Sequence, residues 1–289
     1  MPYQIVTDAT ADLTEELLTG LPRVRIIPME IQVADEPYFF GREGGISVDT
    51  FYQKLRSGCY ASTSQVNPAA YMDCFSSVLE SGCDLLYLGF TSGMSGMYQN
   101  ALLCAAELRE DYPDRRIICL DTKCAAIGQG MLVREAVRRQ AEGMSLDDLC
   151  DWVEQHKMNV CHWFTVDTFE HLRHGGRVSS VVAVVGTALQ IKPLLRVSPE
   201  GTLEVIEKPR GPKHAMRALL SHMEGVWSPE ISTTVIVGHG DCMDRAQDFC
   251  REIQTRYPEA QIFIAPIGPV IGSHTGPGML AVTFWGNGR

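Results

Sequence analysis

Thr91-Ser92-Gly93-Met94-Ser95-Gly96 puts three hydroxyls and two glycines between an apolar run, Leu85 to Phe90, and a segment with apolar residues at 97, 101, 105 and 108. Small hydroxyl residues and glycines at the start of a helix suit an oxyanion. Free backbone N–H groups point outward there and the helix dipole favours negative charge. A second hydroxyl segment, Ala61-Ser62-Thr63-Ser64-Gln65, lies upstream, and a glycine-rich one, Gly272-Ser273-His274-Thr275-Gly276, lies near the C-terminus. None of the three carries a carboxylate or a cysteine. That composition points to an anion receptor more than to reaction chemistry.

Ser95 has two readings, a donor to a bound carboxylate backed by the amide of Gly96, or an ordinary helix N-cap. Gly96 permits close approach of a ligand and favours the first. Thr63 and Ser64, facing Ser95 across a cleft, would supply further donors. Arg173, Arg177 and His274 are the positive groups in glycine-rich, loop-like settings, with Arg177 directly after Gly175-Gly176 and better placed than Arg173 to reach out of a tight turn. His274 can titrate near neutral pH and contact an anion.

Other chemistries fit less well. A serine hydrolase elbow is G-x-S-x-G on a strand–turn–helix. Gly93-Met94-Ser95-Gly96-Met97 has the context without the spacing, and a Ser95–His274 acyl hydrolase is the alternative reading. No G-x-G-x-x-G follows a strand and no phosphate-loop lysine is present. His171 and His174 make a weak pair for a metal, so neither cofactor nor metal is expected. The net charge of −10 argues against nucleic acid. Ten scattered cysteines without a C-x-x-C, behind an N-terminus unlike a signal peptide, read as reduced thiols in a cytoplasm. The apolar stretch Val181 to Ile191 is too short to cross a bilayer, so no membrane insertion is expected.

These residues need a scaffold. The first part of the chain alternates strands (4–6, 23–27, 85–90, 116–120) with helices (from Asp12 as N-cap, 47–55, from Asn67-Pro68 to about 80, 97–110, 128–141). The segments 31–33 and 38–40 suit a hairpin. Alternation of this kind predicts a parallel sheet with covered faces and a ligand beyond the carboxyl ends of its strands. The later part mixes a hairpin (194–197 and 202–206) with strands at 162–166, 233–237, 261–265 and 280–285 and helices at 213–224 and 244–257. The expectation is an α/β protein of two closely packed domains, a parallel-sheet α/β domain over 1–160 and an α+β domain with a mixed sheet over 161–289, the ligand between them.

Five ordered segments resemble one family. Thr63-Ser64-Gln65 before a Pro-started helix, Thr91 to Ala101, Asp121-Thr122-Lys123, Phe164 to Val178 and Ile267 to Gly278 are similar to the DegV family of bacterial fatty-acid-binding proteins, across essentially the whole chain. The resemblance implies a long-chain fatty acid buried between two domains, its carboxylate held by Thr63 and Ser95. It also implies a carrier, not an enzyme in its own right, that presents the carboxylate to a fatty acid kinase as partner and leaves with the acyl-phosphate. Arg177 and His274 match the family's basic groups near the head group; Arg173 is the other candidate. Met94 and Met97 depart from the family's pattern and suggest a different chain-length preference. A sixteen-carbon acid would bury roughly fifteen carbons at about 0.8 kcal/mol each, about 12 kcal/mol gross. Hydrogen bonds to the charged head add about 1.5–3 kcal/mol each. The tail thus supplies affinity and the hydroxyls orientation, with 181–186 and 267–271 as candidate tunnel walls.

Overall fold

The computed structural model describes residues 2–178 and 190–289. A four-stranded sheet with every strand parallel runs in the order β2 (Arg25–Ile27), β1 (Tyr3–Asp8), β6 (Asp84–Gly89), β7 (Ile117–Asp121). Every residue of β6 is buried, as a central parallel strand requires. Helices α2 (Pro68–Glu80) and α3 (Met97–Asp111) pack on this sheet and on each other. Asn67 caps α2 through the Ala69 amide with Pro68 at the first helical position, which is why that boundary is readable from sequence.

A second sheet is mixed and six-stranded. Its order is β10 (Leu203–Glu207), β9 (Leu194–Val197), β8 (Val160–Thr165), β13 (Leu280–Trp285), β11 (Thr234–His239), β12 (Gln261–Pro266). Only β11 and β12 pair in parallel. Helices α7 (Pro212–Met223) and α8 (Met243–Arg256) cover one face. The other face meets α4 (Ala126–Ala141), whose residues are mostly buried because it lies between the two sheets and contributes to a core shared by both. A small antiparallel sheet, β4 (Glu36–Phe40), β3 (Met29–Val33), β5 (Ala61–Thr63), sits beside them. Its hairpin turns on Ala34 and Asp35, both at positive φ (52° and 64°), the two-residue turn whose twist suits a hairpin. Helix α1 (Val48–Arg56), capped by Ser47, follows. The α/β expectation, a parallel sheet followed by a mixed one, is therefore met.

Two local expectations are not, and one helix was not expected. Asp12 does not start a helix. It closes a 3-10 turn at Ala9–Ala11 with φ 47° and turns its carboxylate to the Gly268 amide, 3.0 Å away. An N-cap needs extended backbone, and the following residues form turns in which Thr14 receives the Leu17 amide. Helix α5 (Leu146–His156), capped by Ser145 through the Asp148 amide, was not anticipated. The glycine-rich segment near the C-terminus is not a loop throughout: Pro269–Thr275 forms α9, with Pro269 in its first turn. Gly272 suits that helix because a Cβ there would stand 2.7 Å from the Tyr52 hydroxyl. Of the candidate tunnel walls, 181–186 lies outside the described residues. A short helix α6 (Glu170–His174) ends at Gly175, and Gly176 takes a positive φ of 67°.

Candidate functional site

Thr63 ends β5, Ser95 precedes α3 and His274 sits in the last turn of α9. Tertiary packing brings these three to the rim of one cavity, with Ser64 and Arg177. Thr63 Oγ1 and His274 Nε2 are hydrogen-bonded at 2.9 Å. Ser95 Oγ accepts the Met97 amide at a long 3.3 Å, while the N-cap position itself is Gly96, which has no side chain to offer. Ser95 is thus a weak cap that also lines the cavity. Gly96 is not among the lining residues, and a Cβ there would stand 3.1 Å from Gln65 Nε2. Arg173 is exposed on α6 and does not line the cavity either.

The loop that carries Ser95 is held from two sides. Asp121, at the end of β7, accepts the Ser92 hydroxyl at 2.5 Å and the Ser92 and Lys123 amides at 3.2 and 3.0 Å. Thr91 Oγ1 donates to the carbonyl of Gly201, in the turn between β9 and β10, at 3.0 Å. A Cβ at Gly93 would stand 2.7 Å from that same turn, so the close approach requires glycine. Arg177 Nη1 donates to the Gly175 carbonyl at 2.5 Å, which keeps the guanidinium beside the rim.

Burial, then the charge of Arg177 and of His174, push the His274 imidazole down to about 4. It is therefore neutral near pH 7. Its Nδ1 is buried, finds no hydrogen-bond partner among the described residues, and lies where a Cβ at Gly175 would come within 2.1 Å. No described carboxylate orients His274, and its Nε2 engages Thr63 instead of Ser95. The parts of a hydrolase triad are thus not assembled.

Behind the rim the wall turns apolar. Phe90, Met97, Ile127, Phe164, Val270 and Met279 line a space of about 900 Å³, its open mouth included. From the candidate wall 267–271, Val270 and Ile271 take part. Sequence reasoning did not single out Gln65, which lines the mouth and accepts from Asn100 Nδ2 at 2.9 Å, although it stands within the resembling motif. Nor did it single out His162 or Thr283, which line the wall. The available signal was a polar residue at an inward position of each apolar strand.

Among the described residues no group of side chains is arranged to hold a metal, and no helix is long and apolar enough to cross a membrane.

Fold and site together define an α/β protein with an apolar cavity between a parallel and a mixed sheet and a polar, basic rim. A family model described as "Uncharacterised protein, DegV family" matches residues 2–287. The chain belongs to the DegV family. It is 38% identical over 285 residues to a DegV domain-containing protein of Clostridium perfringens, covering 99% of this chain and 98% of that one. Among solved structures it is similar to a fatty-acid-binding DegV family protein from Thermus thermophilus, with TM-score 0.85, 28% identity, and coverage of 99% of this chain and 100% of that one. The fold also matches the Streptococcus pneumoniae fatty acid kinase B3 protein loaded with linoleic acid, with TM-score 0.85, 20% identity and 99% of each chain covered.

Proposed function

We propose that this chain binds a long-chain fatty acid in the cavity, tail inward, and presents the carboxylate at the rim to a fatty acid kinase. The observation that carries this reading is a rim of hydroxyls, one imidazole and one guanidinium around a mainly apolar space. An acid with one charged end and a long hydrocarbon matches that gradient of polarity.

In this reading Thr63 and Ser95 donate to the carboxylate, with Ser64 and the start of α3 at Gly96 beside them. His274 carries its proton on Nε2 and donates to Thr63 Oγ1, which leaves the Thr63 hydrogen free for the ligand. Arg177 adds positive charge where the carboxylate sits. The chain is then a binding subunit and the kinase performs the phosphoryl transfer. We place it in the cytoplasm and set the boundary between its two units near residue 160, ahead of the first central strand of the mixed sheet.

Organic extraction of the purified protein followed by mass spectrometry tests the reading. A stoichiometric long-chain acid is expected, and its retention should be lost or weakened in Thr63→Val and Ser95→Ala. Folded protein that yields no lipid and takes up no added fatty acid would overturn it.

A further inference from the structure

One rung of the cavity wall does not suit a plain hydrocarbon. Strands β8 and β13 pair antiparallel, with Phe164 opposite Ala281 and His162 opposite Thr283. The pleat turns alternate residues to one face. Met279, Ala281 and Thr283 line the cavity, whereas Leu280, Val282 and Phe284 belong to the core on the other face. The Phe164–Ala281 rung is apolar. The His162–Thr283 rung is not, and it is closed off from the surface: Thr283 is 1% exposed and His162 5%.

The hydroxyl of Thr283 has no hydrogen-bond partner among the described residues. His162 Nδ1 has none either, and its Nε2 receives only a long 3.4 Å contact from the Ala125 amide. Two other hydroxyls on the cavity wall are occupied. Thr10 donates to Gln129 Oε1 at 2.7 Å, and Thr275 donates to the Ile271 carbonyl at 3.2 Å. Covering an unpaired hydroxyl with methylenes is unfavourable, because its hydration is lost and nothing replaces it. Burial and the charge of Arg289, opposed by the nearby Val160 carbonyl, hold His162 well below its ordinary range, so it is a neutral ring with one donor and one acceptor.

The rung is three residues along from the Leu280–Thr165 pair, where the strands lead to the rim helices α9 and α6. At about 3.3 Å per residue that is roughly 10 Å. A group that reaches it belongs to the tail of a bound acid, not to the carbons beside its carboxyl.

We propose that the ligand is an oxygenated long-chain fatty acid whose mid-chain hydroxyl meets Thr283 and His162. The inference rests on the fatty-acid reading above and names the class of acid.

The test compares delipidated protein binding octadecanoic acid with a set of mid-chain hydroxy-octadecanoic acids, by calorimetry. The expected result is at least one hydroxy isomer bound about fivefold or more tighter than the plain acid. Thr283→Val should remove that preference, so that hydroxy and plain acids bind alike, and Thr283→Ser should keep it; thermal melts check that each variant folds. Plain acid bound as tightly as every hydroxy isomer would overturn the inference, with the rung then served by water only, and would leave the fatty-acid reading standing. If no acid of either kind binds the wild-type chain, the fatty-acid reading fails and this inference with it.

Discussion

Thr63 and His274 stand 211 residues apart in the chain and 2.9 Å apart in the fold. Their hydrogen bond joins the end of a small antiparallel sheet to a helix that immediately precedes the last strand of the mixed sheet. The rim is thus assembled across the two halves of the sequence, and whatever occupies it touches both.

Removing a rim hydroxyl should weaken head-group binding. A hydrogen bond to a charged group contributes about 1.5–3 kcal/mol, or roughly ten- to a hundredfold in Kd. Thr63→Val and Ser95→Ala should each fall in that range for a fatty acid. A methyl ester, which lacks the charge, should lose far less, and displacement of a fluorescent fatty acid measures both. Equal losses for acid and ester would argue against a carboxylate at the rim.

His274 should titrate far below an ordinary histidine. Burial, Arg177 and His174 push it down to about 4, against an ordinary 6.5. A carboxylate bound beside it favours the imidazolium and should move the midpoint up. The sign for stability runs the other way from a paired histidine. Between pH 6.5 and about 4 the unfolded chain binds the proton and the folded one does not, so this group's contribution declines as pH falls through that window. NMR of the imidazole protons, with and without fatty acid, reads both states.

Gly175→Ala should damage the rim while sparing the fold. The residue has φ −74°, which alanine adopts without strain, but its Cβ would stand 2.1 Å from His274 Nδ1. The ring must move and the Thr63 contact with it, so fatty-acid affinity should drop severalfold at nearly unchanged Tm. Gly176→Ala makes the contrasting case. Its φ is +67° and nothing lies near an added Cβ. It should cost about 1 kcal/mol of local strain and leave affinity intact.

Asp12 offers a stability test away from the rim. Its carboxyl is buried, accepts the Gly268 amide through Oδ1, and leaves Oδ2 without a partner among the described residues. Burial, opposed by that amide and reinforced by Asp8, raises it well above the ordinary carboxylate range. A raised acid stabilises the fold at low pH and loses that contribution as pH rises above its ordinary value. Asp12→Asn keeps the acceptor, tolerates the left-handed backbone and removes the charge, so it should be neutral or stabilising at pH 7. Asp12→Ala strands the Gly268 amide and should cost about 1–3 kcal/mol. Denaturant melts across pH distinguish the two.

Much of this protein was legible from local chemistry. Asn67-Pro68 and Ser47 fix helix starts because a cap and its amide are neighbours in sequence. The strands of the parallel sheet announce themselves as short apolar runs because both their faces are covered. Thr63, Ser64, Ser95, Arg177 and His274 were legible as candidate groups because small hydroxyls and cations beside glycines are unusual in a core, and they were recognised together through the motifs that hold them. Asp12 misled for the same local reason: its sequence is that of a cap, and only the distant Gly268 amide turned it elsewhere.

What tertiary structure alone decided is which of those groups meet. Thr63 finds His274, Thr91 reaches Gly201, and His162 comes opposite Thr283 through pairings between segments far apart in the chain. Such contacts depend on sheet register and layer packing, and leave no periodicity in the sequence between them. A strand pattern tells which residues share a face. Whether that face borders a packed core or an open cavity depends on what the other layer brings to it, and here that layer is α4 and the loops at the ends of the parallel strands.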